Sequence, residues 1–366
     1  MIMKIGIDAS RYVDEKATGV EWYSWHIIRG LLEVAAKNDE VILYSRSKLN
    51  SKDYKIGKAK VKNKVIERKR LWTLKGLSNE MNKNAPDVLF VPSHTLPLTL
   101  PKRSVIMVHD VAFKRIRSAY SFTQYHYLNW RTKFAVKNAT QIIVPSEATA
   151  NDLVEFFKCD RKKITVIPHG FTPSETFDER IFQDSPVLSY FEIDPKMKYF
   201  LFVGRLESKK NLARLVEAFA TFHSKNPAYK LVLAGKRGHG FQEIWKKVKS
   251  LNLVEHVIMP GYITEEEKSA LYAHCQAFVF PSLYEGFGLP ILEAFYYGKP
   301  VLTSDNSSLP EVGGEGAVYV DAYSADEIAD GLRKVLKLDG AKGKKILTGF
   351  DWKKAAKKTM KVIYGQ

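Results

Sequence analysis

"PSLYEGFGLPILEAFYYGKPV", residues 281–301, is the stretch that decides how this chain is read. The apolar run "AFVFPS" (277–282) leads into it and has the length of a buried strand. "LYEGFGLP" then turns, and "ILEAFYYG" opens a helix from Leu289. Gly286 and Gly288 let backbone N–H groups come close to an anion, and a helix N-terminus adds the positive end of its dipole. The pattern is a cradle for a diphosphate. Glu285 stands before it, and Glu293 lies about one helical turn beyond it, where its carboxylate can accept from the two hydroxyls of a ribose. The plainer alternative makes both glutamates structural caps.

Strand, loop and helix recur outward from this unit. In the second half the apolar runs are 199–204, 230–235, 256–261, 277–282 and 300–305. In the first half they are 3–8, 40–45, 65–68, 87–92, 104–110, 141–146 and 164–170, with helical patterns at 20–37, 121–138 and 146–157. Continuous Val/Ile-rich runs separated by amphipathic segments indicate parallel sheets covered on both faces. The polar stretch 172–197 carries three prolines and breaks the rhythm. The expected organisation is a Rossmann-like domain over 1–172, a linker over 173–197, a second such domain over 198–350 and a closing helix over 351–366. Sites in such sheets lie beyond the C-terminal strand ends, and two domains suggest a cleft between them.

Composition bounds the function. The chain has 366 residues and two cysteines, Cys159 and Cys275, without metal or disulfide spacing, which suits a reducing compartment. The opening "MIMKIGIDAS" is too short and polar for a signal peptide, and no apolar run reaches membrane-spanning length. A cytoplasmic protein, with peripheral contact to the inner membrane face, is expected. The net charge is +17, and residues 1–175 hold 30 Lys+Arg against 17 Asp+Glu, a surplus of 13. The densest cations fall in 48–75, a candidate contact with an anionic membrane; a lysine-rich solvated surface reads equally well.

In "YFLFVGRLESKKNLARLVEAF" (199–219), Gly204 turns after a strand, and Arg205 and Lys210 follow before a helix near Leu212. A planar fork and a point charge at a strand end suit phosphate groups. In the first half, Gly19 opens a helix in "TGVEWYSWHI", and "SVIMVHDVAF" ends a strand at His109 and Asp110. His94 follows another strand end. His169, in "VIPHG", reads as packing near the linker, and the aromatic run Tyr120 to Trp130 reads most simply as the packing face of a helix, with an acceptor-binding surface as the lesser reading.

"GRLESKKN" together with "EGFGLPILEA" resembles glycosyltransferase family 4, with its two-domain GT-B fold and a C-terminal helix crossing back to the first domain. Glu285 and Glu293 match that family's E-x7-E pair. The resemblance implies a retaining enzyme that uses a nucleotide-diphosphate sugar. It implies that Arg205 and Lys210 hold the diphosphate, that Glu293 holds the ribose, and that Glu285 touches the donor sugar. The amides of Phe287, Gly288 and Leu289, beside Gly286, would complete the donor site, with the base near Gly235 and Gly261–Ile263. Gly19 would serve the donor phosphate, although the family often has a glycine pair where Thr18 and Gly19 stand. His109 would lie beside the donor sugar as a second catalytic residue, with Asp110 and His94 on the acceptor side.

No Asp-x-Asp occurs, so the cations and helix-end amides are expected to serve without a metal or other cofactor. The acceptor is expected to be a glycan or a lipid-linked saccharide, and the stretches around "MVHDVAF" and "VPSEATANDLVEFF" look most like GDP-mannose-dependent members of polysaccharide assembly. A sugar-nucleotide epimerase of the same fold is the alternative. Nucleic-acid binding rests on charge alone, lacks a binding motif, and is not expected as a partner.

Overall fold

The computed structural model describes residues 2–12, 19–173, 178, 180 and 184–366. These form two compact units, one of 1–114, 120–170 and 350–366, the other of 115–119 and 171–349. Thr18 and part of the expected 173–197 linker lie outside the described residues.

The first unit is built on a seven-stranded sheet. Its strands are β1 (Lys4–Asp8), β2 (Glu40–Ser45), β3 (Lys60–Val65), β4 (Val88–Val91), β5 (Arg103–Met107), β6 (Gln141–Val144) and β7 (Ile164–Val166), in the order β3-β2-β1-β4-β5-β6-β7. Every pairing is parallel. Alternate residues of one strand feed different cores. Val105 and Met107 of β5 pack with Ile27 and Leu31 of the helix Val20–Val34, while Ile106 packs with Leu77, Ala135 and Leu153 on the other face. That double burial is why these strands read as unbroken apolar runs.

The expected strand at 65–68 is displaced: β3 occupies Lys60–Val65, "KVKNKV". It is an edge strand, and Lys60, Lys62 and Lys64 are exposed. Lysines on an edge discourage pairing with another chain, and they also hide a strand from a search for apolar runs. The Trp352–Tyr364 helix packs on Val20–Val34, so closely at Gly30 that a Cβ there would sit 2.7 Å from that of Ala356.

The aromatic run on Phe122–Asn138 is a partial correction. Tyr120, Tyr125 and Leu128 pack against the core, but Phe122, Tyr127 and Trp130 are exposed by 69, 46 and 43%. Aromatics spread through three turns of helix cannot all face one way at 3.6 residues per turn.

The second unit has β8 (Lys198–Val203), β9 (Tyr229–Ala234), β10 (Val257–Gly261), β11 (Ala277–Phe280), β12 (Val301–Ser304) and β13 (Ala317–Val320), ordered β10-β9-β8-β11-β12-β13 and all parallel. β13, "AVYV", follows a glycine-rich turn and has no counterpart among the sequence expectations. From β8 the chain builds toward one edge, then returns at β11 to build toward the other. The C-terminal ends of β8 and β11 therefore flank the crevice where doubly wound sheets bind ligands. In the first unit the same reversal lies between β1 and β4.

Candidate active site

Both loops at the β8/β11 reversal carry predicted site residues. Gly204 leaves β8 with φ +150°, and Gly235 leaves β9 with φ +143°. A Cβ on Gly235 would fall 1.9 Å from the Gly204 carbonyl oxygen, so the two strand ends meet backbone to backbone. Arg205 is exposed, and its stem runs against Gly238, where a Cβ would be 2.8 Å from Arg205 Cγ. It forms no ion pair among the described residues.

Lys210 turns the other way. Its ammonium donates to Glu285 Oε1 at 2.6 Å, with both side chains only 12% exposed, and lies 4.8 Å from the centre of the Phe280 ring. Burial pushes the Glu285 carboxyl up, but Lys210 and Lys209 beside it outweigh that, and it ionises below the usual carboxylate range. The pair joins a residue after β8 to one after β11. A backbone bond from Leu283 N–H to the Lys209 carbonyl, at 2.9 Å, seals the same junction.

Hydroxyls hold the Glu285 loop in place. Ser307 accepts from the Glu285 N–H at 3.1 Å, and Ser308 donates to the carbonyls of Glu285 at 2.9 Å and Phe287 at 2.7 Å. Ser304 donates to the Ser282 carbonyl at 2.8 Å. These serines come from "SDNSS" (304–308), which begins on the last residue of β12 and which the sequence reading passed over. A polar run directly after an apolar strand was the available signal. Asn211 was also missed. It sits at φ +61° before the helix Leu212–His223 and donates its amide to the carbonyls of Pro281 and Ala322 at 3.1 and 2.6 Å. It ties the Lys210 turn to β11.

Gly288 has φ +119° and stands at the N-cap of the helix Leu289–Tyr296, with Pro290 in its first turn. No side chain caps this end; Pro290 has no N–H and the Ile291 N–H bonds back to the Gly288 carbonyl at 3.0 Å, which leaves the N–H groups of Gly288 and Leu289 at the turn. Phe287 is buried, and its carbonyl accepts from Ser308. Glu293, a turn into the helix, does not join the Lys210–Glu285 pair. Lys268 donates to its Oε1 at 2.9 Å and Tyr272 to its Oε2 at 2.9 Å.

In the first unit, Gly19 is the N-cap of Val20–Val34 with φ +46°, where glycine carries little strain. His109 and Asp110 follow β5. His94 Nε2 lies within hydrogen-bond distance of three backbone atoms of the next turn: the His109 nitrogen at 3.0 Å, the Asp110 nitrogen at 3.3 Å and the Asp110 carbonyl oxygen at 3.0 Å. The ring braces the His109–Asp110 turn. His109 donates from Nε2 to the Pro92 carbonyl at 3.1 Å and meets Tyr23 edge-on at 4.8 Å. Asp110 accepts from the Ala112 N–H at 3.0 Å. His169 is buried beside Tyr23, His109 and Trp352. Burial lowers these imidazoles: His94 to about 4, His109 to about 3, and His169 well below its usual value. All are neutral near pH 7.

Two family models match the chain. "Glycosyltransferase Family 4" matches residues 17–175 and "Glycosyl transferases group 1" matches 190–358. Together they run through both units, and the chain belongs to the family 4 glycosyltransferases. It is a glycosyltransferase with the GT-B fold.

Among curated relatives, the O-antigen chain mannosyltransferase B of Escherichia coli is 27% identical over 276 residues, 74% of this chain and 72% of that one. The O-antigen chain mannosyltransferase RfbU of Salmonella typhimurium is 26% identical over 251 residues, 68% of this chain and 64% of that protein. The serotype-specific mannosyltransferase WbdA of Escherichia coli matches 69% of this chain, but that match covers only 33% of WbdA. Sucrose-phosphate synthase from Thermosynechococcus elongatus shares the fold at TM-score 0.75, with 18% identity over 98% of both chains. WaaG, a glycosyltransferase involved in lipopolysaccharide biosynthesis, does so at 0.69, with 16% identity over 99% of this chain and 100% of that one.

Proposed function

We propose that this glycosyltransferase moves mannose from GDP-mannose to a glycan or lipid-linked saccharide, with retention of configuration and without a metal. The carrying observation is the buried Lys210–Glu285 pair beside the uncapped helix end at Gly288, at the β8/β11 reversal. The mannosyltransferase names of the relatives support the choice of sugar.

The bond from the sugar C1 to the β-phosphate oxygen breaks, and a bond forms from C1 to the acceptor hydroxyl oxygen. The hydroxyl proton passes to the departing phosphate. Negative charge therefore grows on the diphosphate. In this reading Arg205, the Lys210 ammonium and the N–H groups of the Gly288–Leu289 turn neutralise it. An ammonium has three donors, so Lys210 can keep Glu285 and still reach a phosphate oxygen. Glu285, held ionised, accepts from a hydroxyl of the donor sugar. His109, neutral and braced by His94, positions the sugar rather than exchanging a proton.

For the acceptor, a lipid-linked saccharide suits a protein that rests on an anionic bilayer. Segment 48–75 exposes Lys52, Lys55, Lys58, Lys60, Lys62 and Lys64. The helix Phe122–Asn138 has no acidic residue and presents Phe122, Tyr127 and Trp130 with Lys133 and Lys137. Aromatic rings beside basic side chains suit the interfacial zone of a bilayer. No helix among the described residues is long and apolar enough to cross a membrane.

The deciding test is the melting temperature of the purified chain with GDP, UDP and ADP, each with and without EDTA, followed by transfer from radiolabelled GDP-mannose. A ligand at a hundred times its Kd stabilises the folded state by about 2.7 kcal/mol. A GDP-specific shift unaffected by EDTA is expected. Stabilisation by UDP instead overturns the choice of base, loss with EDTA overturns metal independence, and no shift with any nucleotide overturns the donor site.

A further inference from the structure

The helix Glu265–His274 carries a cation aimed at the predicted ribose carboxylate. Lys268 Nζ lies 2.9 Å from Glu293 Oε1 and 2.6 Å from Glu265 Oε2. One turn on, Tyr272 donates its hydroxyl to Glu293 Oε2 at 2.9 Å. Lys268 is 15% exposed and Glu293 25%, while Tyr272 is buried and its ring stacks on Tyr297 at 5.7 Å. Burial alone disfavours the ammonium, but the carboxylates of Glu293 and Glu265 more than compensate and keep Lys268 charged.

Each oxygen of Glu293 thus has one donor fixed by a neighbouring helix. A carboxylate oxygen accepts two hydrogen bonds, so each keeps one acceptor site for a ligand. Two acceptors side by side on a carboxylate that cannot turn match two hydroxyls on adjacent carbons. Without Lys268, the like charges of Glu265 and Glu293 would face each other across the vacated position, and Glu293 would swing away. An ordinary surface pair would be mobile and mostly solvated. This ammonium is mostly buried and bridges two carboxylates from different helices.

We propose that Lys268, with Tyr272, is a positioning residue that presents Glu293 to the ribose diol of the donor, so that the enzyme discriminates ribonucleotides from deoxynucleotides through Lys268. The role rests on the nucleotide-sugar reading of the site. It is distinct from that reading, because Lys268 touches neither the phosphates nor the reacting carbon.

The test is calorimetric: Kd of the full chain for GDP and for 2′,3′-dideoxy-GDP, with the uridine pair used if UDP is the stabilising nucleotide. A site built around a hydroxyl rejects the analogue lacking it, so wild type should prefer the ribonucleotide by about tenfold or more. Lys268→Met keeps the apolar stem and loses the charge. It should weaken GDP by about tenfold while changing the dideoxy Kd less than about twofold, because only the diol contact depends on Lys268. Lys268→Arg should restore part of the preference, and Glu293→Gln should abolish it. A merely structural lysine would move both constants together or neither. An unchanged ratio in Lys268→Met, or tighter GDP binding, overturns the proposal. If wild type binds GDP but does not prefer ribose, the inference fails and the donor site stands. If no nucleotide binds, both fall.

Discussion

Removing Lys210 tests both the packing and the chemistry of the site. In Lys210→Met the stem still fills its place, but Glu285, whose side chain is 12% exposed, loses the ammonium at 2.6 Å. Breaking a buried pair by deleting one partner costs roughly 3–5 kcal/mol, and the residual exposure of this pair favours the lower figure, about 3 kcal/mol. For a unit of this size each kcal/mol lowers the melting temperature by roughly 2–4 °C, so a drop of about 6–12 °C is expected. The double variant Lys210→Met/Glu285→Gln removes both charges and should recover most of that stability, since no uncompensated ion remains. Activity should not recover, because the diphosphate still lacks its cation. Thermal melts and mannosyl transfer on wild type, both single variants and the double variant form a complete cycle. The Glu285 carboxyl ionises below its usual range, so the contribution of the pair is present above the unfolded value and is lost as pH falls through the folded one. The melts therefore belong at neutral pH. Additive destabilisation in the double variant would refute the ion-pair reasoning, and transfer at the wild-type rate by Lys210→Met would refute the catalytic role.

Two further outcomes follow from the first unit. Burial lowers His26 and His94 to about 4 and His109 to about 3, so unfolding takes up protons below the free value near 6.5. Stability is then fully present above about pH 6.5 and declines by about 1.4 kcal/mol per pH unit per histidine below it. Melting temperature should fall steeply from pH 6.5 to 5, and a flat profile would mean that the charged rings are accommodated. Trp130→Glu and Tyr127→Glu, both at exposed positions, should leave the melt unchanged and release the chain from phosphatidylserine vesicles in a sedimentation assay. Undiminished sedimentation of both variants would remove the helix Phe122–Asn138 from the docking surface.

The parts of this protein that were legible in the sequence are those governed by local physics. Apolar runs such as "VLFV" and "AFVF" mark strands buried on both faces, because each residue meets an apolar neighbour whichever way it points. Gly288 before Leu289 marks a helix start, because the turn demands a positive φ that glycine tolerates. Where burial is one-sided the local signal fails. β3, with Lys60, Lys62 and Lys64 outward, was placed five residues too late, and the aromatics of Phe122–Asn138 gave no sign of which would face solvent.

Only the tertiary structure decided who meets whom. Lys210 and Glu285 are 75 positions apart, and the strand order that sets β8 beside β11 brings them within 2.6 Å. Lys268 and Tyr272 reach Glu293 from a helix whose sequence looks like any solvated acidic segment. Ser304, Ser307 and Ser308 support the Glu285 loop because β12 lies next to β11. Propensity and pattern act over a few residues and so are written in the chain. Partner choice depends on sheet order, which emerges when distant segments bury their apolar faces together.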